Sequence, residues 1–217
     1  MEKYRDYKDW RAYWERRGKG RWKDLRRMSG YSHRLAKLSD RTLRKLVGSI
    51  AEKLEIKEND RVLDVGCGAG VITVPLSRCA PKIIGVDASL SMIRYVPNHT
   101  PRILGEASRL PFADGSFDKI LCHSMFQYFP DPEYARKSVL EMLRVCDRNG
   151  IIYIADIPNS AKRTEYEKAK EPETHNLTRL FYERDFFRAF PDAEIFDHEL
   201  EGYENARFRF NVLIRKI

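Results

Sequence analysis

The sequence predicts an α/β fold, a doubly wound and mostly parallel sheet preceded by a basic helical extension. Three observations carry that reading. From residue 61 short β-branched runs alternate with segments of helical period, a glycine-rich turn follows the first of those runs, and the excess positive charge lies ahead of it. At 217 residues with 42% apolar side chains the chain is long enough for one full-sized domain and too short for two large ones.

The N-terminal fifty residues hold 16 Lys and Arg against 6 Asp and Glu, whereas the remainder is near neutral at 24 against 26. A basic arm of this kind can attract phosphate, whether of RNA, of a phosphorylated or nucleotide-linked metabolite or of a membrane surface, and charge alone does not choose among them. Within it Tyr4, Tyr7, Trp10 and Trp14 are spaced 3, 3 and 4, which places them on one side of a helix. Docking of that face on the main domain is favoured over stacking of nucleobases. After Gly18, Gly20 and Gly30, the residues Leu35, Leu38, Leu43, Leu46, Val47, Ile50, Ala51 and Leu54 continue at helical spacing and predict a second helix leading into the first strand. Residues 1–40 read as the extension, a lid or substrate arm, and 41–217 as the domain.

The strands predicted in order are Arg61–Val65, Lys82–Val86, Arg102–Leu104, Lys119–Cys122, Gly150–Ala155, Ala193–His198 and Phe208–Ile214. Helices are expected around Val71–Ser77, Leu90–Tyr95, Glu133–Cys146 and Glu183–Phe190, with a mobile loop or irregular helix over Asn159–Thr174. The longest apolar run, Ile151 to Ala155, falls far short of the roughly 20 residues of a membrane-spanning helix. The charged, aromatic N-terminus has no apolar core of a secretory signal, so a cytoplasmic location is the expectation. Cys67, Cys79, Cys122 and Cys146 are irregularly spaced and expected to be reduced; no His or Cys pattern predicts a metal.

The first strand ends at Asp64 and opens into a turn with Gly66, Gly68 and Gly70. Glycines there let the backbone approach a ligand. An acid two residues before the first glycine would repel a pyrophosphate and suits a ligand bearing an ammonium or sulfonium cation, which favours S-adenosylmethionine over NAD. Asp87, at the carboxyl end of the second strand, is placed to accept both hydroxyls of an adenosine ribose, although it could equally cap the following helix. A third segment, Gly105 to Asp131, carries an acid at a strand end, a Leu-Pro-Phe turn and a further strand leading to polar and aromatic residues.

With VLDVGCGAG, GVDAS, EASRLPFADGSFD and VCDRNGIIYIAD in this order, residues 61–156 resemble the class I S-adenosylmethionine-dependent methyltransferases, in particular the subgroup with a methyltransferase-11-type domain. The resemblance implies a Rossmann-like, seven-stranded sheet with helices on both faces and a reversed last strand, here Phe208–Ile214. It implies S-adenosyl-L-methionine as cofactor and S-adenosyl-L-homocysteine as product. Carried over by motif, Gly66, Cys67, Gly68 and Gly70 would form the cofactor turn, Asp64 would lie near the ammonium group and Asp87 at the ribose. Ala88 and Met92 would flank the adenine, with Glu106 at its amino group and the Ala107 backbone at the ring; the commoner family residue at Glu106 is Asp. His123 would line the site near the reactive methyl. Gln127 and Tyr128 stand where many members have a His-His pair, so His123 and Tyr128 are the candidate catalytic residues.

Methyl transfer from a sulfonium chiefly needs positioning and exclusion of water, and a base only for acceptors such as a sugar hydroxyl. No DPPY-type tetrapeptide follows the fourth strand, which speaks against methylation of an adenine amino group, and no Pro-Cys pair is present for carbon-5 methylation of pyrimidines. The leading expectation is an enzyme acting on a small polar acceptor: a sugar, a glycan or a phosphorylated metabolite. Residues 1–40, Asn159–Thr178 and Glu201–Asn205, with Arg179, Tyr182 and Tyr203, are the segments expected to select it. The alternatives are an RNA methyltransferase holding its substrate with the basic arm, an NAD-dependent oxidoreductase and a catalytically silent partner subunit. Oligomeric state is left open by the sequence.

Overall fold

The computed structural model describes residues 7–31, 34–170 and 178–217, and side chains from Trp10 onward. Tyr4 and the side chain of Tyr7, two members of the expected aromatic face, lie outside the described residues, as does 171–177 of the proposed specificity loop. Two helices, α1 (Tyr7–Gly18) and α2 (Leu25–Met28), and a 3-10 turn at Arg34–Ala36 precede α3 (Asp40–Lys53). The alternating body follows as β1 (Arg61–Val65), α4 (Thr73–Leu76), β2 (Lys82–Asp87), α5 (Leu90–Ile93), β3 (Arg102–Leu104) and β4 (Phe117–His123). It continues with α6 (Pro132–Val145), β5 (Cys146–Pro158), α7 (Arg163–Ala169), α8 (Asp185–Arg188), β6 (Ala193–Asp197) and β7 (Arg209–Arg215).

The seven strands form one sheet in the order β3-β2-β1-β4-β5-β7-β6. All neighbours run parallel except β7, which is inserted antiparallel between β5 and β6. The strands alternate between two cores because successive side chains point to opposite faces. Leu63, Ile120, Cys122, Ile152 and Ile154 pack against Ala135, Val139 and Met142 of α6. Val62, Leu121, Ile151, Tyr153 and Leu213 pack on the other face against Leu46, Ile50 and Leu54 at α3. β1 is buried on both faces, so its apolar run is continuous rather than alternating.

The structure departs from the sequence-based expectation at the start of α3. The apolar spacing from Leu35 onward suggests one continuous helix, yet Leu35 lies in the 3-10 turn and α3 begins at Asp40. Ser39 ends the earlier segment by capping α3, its hydroxyl accepting from the Thr42 amide at 3.0 Å. Leu35 packs instead with Tyr166 and Phe208. The Asn159–Thr174 stretch contains a 3-10 turn at Ser160–Lys162 and α7.

α1 lies against α5 beside the carboxyl end of β2. The Glu15 carboxylate accepts from the Ser89 hydroxyl at 2.8 Å and the Ser91 amide at 3.1 Å, and Arg94 donates to the Gly18 carbonyl at 2.8 Å. Gly18 permits that approach, since a Cβ there would stand 2.6 Å from the Ser91 backbone. The sheet changes direction of winding between β1 and β4, and α1 lies across that opening, so the fold makes a covered cavity where an open parallel sheet has its binding crevice.

Candidate active site

One cavity opens at the carboxyl ends of β1, β2 and β4. Its floor is the turn after β1. The backbone there is drawn against β2 by hydrogen bonds from the Gly66 and Cys67 amides to the Val86 carbonyl at 2.7 and 3.1 Å. Gly66 has φ of +81°, a conformation that favours glycine, and a Cβ on it would fall 2.0 Å from Met125 Sδ, so that a side chain there would also displace the end of Met125. Asp64, Gly66, Cys67 and Gly68 all line the cavity, whereas Gly70 does not and packs toward Val74 and Val96 as part of the turn.

Asp64 is buried, and its carboxylate accepts from the Thr73 hydroxyl at 2.6 Å. Burial pushes its pKa up to about 7, against the opposing effect of that hydrogen bond, and the nearby Asp87 adds to the rise. A carboxylate held near its titration point is one that a cationic ligand would stabilise in its ionised form. Asp87 faces the same cavity and accepts from the Gly68 amide at 2.9 Å and the Ser89 amide at 2.8 Å. Burial raises its pKa, and these backbone donors counter the rise. Each oxygen still has room to accept a ligand hydroxyl. Ala88, Met92 and Ala107 complete this wall. Glu106 does not line the cavity: Arg11 of α1 donates to one of its oxygens at 2.9 Å and the Tyr134 hydroxyl to the other at 2.8 Å. The sequence could not foresee that α1 would bring a cation to this acid.

At the opposite end His123 closes β4. It is 6% exposed, its Nδ1 lies 3.3 Å from the Tyr31 hydroxyl, and its Nε2 is buried without a hydrogen-bond partner. Burial pushes its pKa down to about 4, with the charge of Asp156 acting in the other direction, so the ring is neutral near pH 7. Ser124, just after β4, and Asp156, at the irregularity where β5 shifts register against β7, both adopt the left-handed backbone region at φ of 55° and 59°. Asp156 accepts from the Tyr203 hydroxyl at 3.1 Å and sits 3.7 Å from Arg209 Nε, both partners of the ion pair being buried. Burial works against the Asp156 charge, but Arg209 and the neighbouring histidines hold its pKa below the usual range.

Tyr128 also lines the cavity, with its ring 4.6 Å from Trp10 and 5.2 Å from Trp14. Trp10 is buried and donates from its indole to the Thr178 carbonyl at 3.1 Å. Trp10 and Trp14 of α1 are thus turned inward over the cavity. Arg11, Ser29, Tyr31 and Met125 are lining residues absent from the sequence reading. The spacing of the α1 aromatics revealed a face but not its destination, and no local pattern marks Tyr31.

The methyltransferase domain family model matches residues 63–154. The chain is 30% identical over 167 residues to a demethylmenaquinone methyltransferase of Corynebacterium urealyticum, covering 70% of this chain and 71% of that protein. It is also 30% identical over 158 residues to a probable methyltransferase of Aspergillus luteorubrus, covering 64% of this chain and 53% of that one. The chain spans about half the length of several such curated relatives. Among solved structures it superposes on phosphoethanolamine N-methyltransferase 1 of Haemonchus contortus, determined with phosphoethanolamine and S-adenosylhomocysteine. The TM-score is 0.72 at 15% identity, over 97% of this chain and 49% of that one. With a relative of this identity and coverage and a family model over its central strands, this chain belongs to the class I S-adenosylmethionine-dependent methyltransferases.

Proposed function

We propose that this protein transfers a methyl group from S-adenosylmethionine to a small polar acceptor. The observation that carries the reading is the cavity itself, lined by the carboxylates of Asp64 and Asp87 on one side and by the neutral imidazole of His123 on the other. The residues fit the cofactor. Gly68 leaves open space where a Cβ would meet only the end of Met92 at 3.7 Å, Asp87 can accept ribose hydroxyls, and the raised pKa of Asp64 is relieved by an ammonium group. When bound, the cofactor supplies a methyl group made electrophilic by its sulfonium sulfur.

The chain's own residues supply position and proton removal. Ala88, Met92 and Ala107 hold an adenine between apolar surfaces, while α1 covers the cavity and excludes water through Trp10, Trp14 and Tyr128. His123 lines the cavity and is the group that would take the proton of an acceptor hydroxyl, with the Tyr31 hydroxyl fixing the ring at Nδ1. An acceptor hydroxyl would give up its proton to His123 and an amine would enter in its neutral form; that oxygen or nitrogen would take the methyl group of the bound cofactor, the methyl–sulfur bond breaking to leave S-adenosylhomocysteine. Asp156 then stabilises the imidazolium, which returns its proton to solvent as product leaves. Tyr128 acts as wall rather than as base in this scheme. Residues 1–40 serve as the lid and the remaining chain as the catalytic domain.

A sugar, glycan or phosphorylated metabolite agrees with the polar acceptor end, and the phosphoethanolamine present in the Haemonchus contortus structure is one molecule of that class. The inward orientation of Trp10 and Trp14, two of the four aromatics of that face, supports a small acceptor over stacking of nucleobases. The test is transfer of label from methyl-tritiated S-adenosylmethionine into a cell extract separated into small molecules, glycans and nuclease-sensitive polymer. Label should collect in small molecules or glycans and disappear with Asp64→Ala and with Asp87→Ala. Label in nuclease-sensitive polymer would refute the acceptor class.

A further inference from the structure

The basic N-terminal arm is only partly explained by its internal pairing. Arg11 is spent on Glu106, Arg17 donates to the backbone carbonyls of Arg27 and Met28, and Lys45 pairs with Glu201. Arg27 and Lys37 are different. Both side chains are exposed, neither forms an ion pair among the described residues, and both line one hollow formed by α2 and the segment leading into α3. Arg26, Asp24 and Asp40 line it too. The two acids are already engaged: Asp40 accepts from Arg26 at 2.6 Å, and Asp24 caps α2 by accepting from the Arg26 and Arg27 amides at 2.9 and 3.3 Å. The hollow thus keeps one positive charge in excess and two cations with no partner.

Its position gives that charge a use. Tyr31 lines both this hollow and the central cavity, with its hydroxyl on the cavity side against His123. Tyr31 is thus a wall common to the hollow and to the cavity that His123 lines, which sets Arg27 and Lys37 on the far side of that wall. We propose that the hollow is an anion subsite that holds a phosphoryl group of the acceptor, so that the substrate is a small phosphorylated molecule methylated at a hydroxyl or amine some distance from its phosphate. This deepens the function proposed above and rests on that reading of the acceptor end. A phosphoryl group suits the site better than a carboxylate does. In a solvent-open hollow a single charge is strongly screened, whereas a group of nearly two charges and three oxygens can engage Arg27 through paired donors and Lys37 as a point charge together.

The experiment measures binding of pyrophosphate, inorganic phosphate and acetate by calorimetry, with the protein alone and saturated with S-adenosylhomocysteine. Pyrophosphate and phosphate should bind and acetate should not. The double variant Arg27→Ala/Lys37→Ala should weaken pyrophosphate by about tenfold or more and leave S-adenosylhomocysteine affinity unchanged. The exposed pair Arg21→Ala/Lys23→Ala removes the same charge from the arm outside the hollow and should change neither. Equal losses in the two double variants, equal binding of acetate, or pyrophosphate binding indifferent to Arg27 and Lys37 would each overturn the subsite. So would preferential binding of a single-stranded RNA oligomer lost in both double variants, which would assign the arm to nucleic acid. Failure to bind S-adenosylhomocysteine would instead overturn the proposed function, and the pyrophosphate comparison in the protein alone would still decide the hollow.

Discussion

The Tyr31 hydroxyl lies 3.3 Å from His123 Nδ1, joining the N-terminal segment to the end of β4 across 92 positions of sequence. Burial pushes the Tyr31 pKa well up, so the phenol remains protonated and its role is to orient the imidazole, not to titrate. Tyr31→Phe keeps the ring and removes the contact. Long-range nitrogen–proton NMR spectra should then show His123 losing a single fixed tautomer, and label transfer should fall about tenfold, the worth of one hydrogen bond to a reacting group. Unchanged imidazole shifts would remove Tyr31 from the mechanism.

Asp64 and His123 impose opposite pH dependences on the ligand-free protein. Asp64 titrates near 3.8 when unfolded and about 7 when folded, so the stability its protonated form provides is lost as pH rises through about 7. His123 titrates near 6.5 unfolded and about 4 folded, so its contribution is present above 6.5 and lost as pH falls through about 4. Between about pH 4 and 6.5 the two trends oppose each other. Chemical denaturation should show stability rising with pH in Asp64→Asn and falling with pH in His123→Asn across that window. Parallel curves for the two variants would contradict this assignment.

On the function proposed above, the same acid would govern cofactor affinity. Because the ammonium group favours ionised Asp64, S-adenosylhomocysteine binding should weaken by nearly tenfold per pH unit below about 7. Asp64→Asn should bind more weakly at pH 8 and lose most of this dependence. Calorimetry across pH 5.5 to 8 is the check, and a flat wild-type profile would count against contact between Asp64 and the ammonium group.

The docking of α1 depends on Gly18, where a Cβ would meet the Ser91 backbone at 2.6 Å. Gly18→Ala should unseat the helix, lowering amide protection over Tyr7–Gly18 and weakening S-adenosylhomocysteine about tenfold, with the sheet intact. Gly48→Ala is the contrast. Its Cβ would meet nothing within 4 Å on α3, and the change should stabilise the protein by about 0.5–1 kcal/mol. Hydrogen exchange and thermal melts separate the two outcomes.

Arg209 is the buried counter-charge of Asp156. Arg209→Met should cost about 3–5 kcal/mol by leaving a carboxylate without compensation in the interior, and Arg209→Met/Asp156→Asn should recover most of that loss. Equal destabilisation of the single and double variants in denaturant titrations would show that the two residues are not coupled.

The amino-acid sequence by itself determined what depends on neighbours along the chain. β1 and β3 have the limits that their apolar runs predict, and the other strands differ only at their ends, because short β-branched runs and the turn residues that bound them act locally. The same holds for the turn at Gly66 and for the strand-end positions of Asp64 and Asp87, which are properties of a strand running into a glycine-rich bend. Tertiary structure decided what depends on partners far away. Leu35 left the expected helix because a serine cap and a distant aromatic cluster outweigh helical spacing. Glu106 pairs with Arg11 and Tyr134, and Tyr31 lines the cavity. These placements are set by packing and charge pairing between segments whose separation in sequence carries no periodic signal.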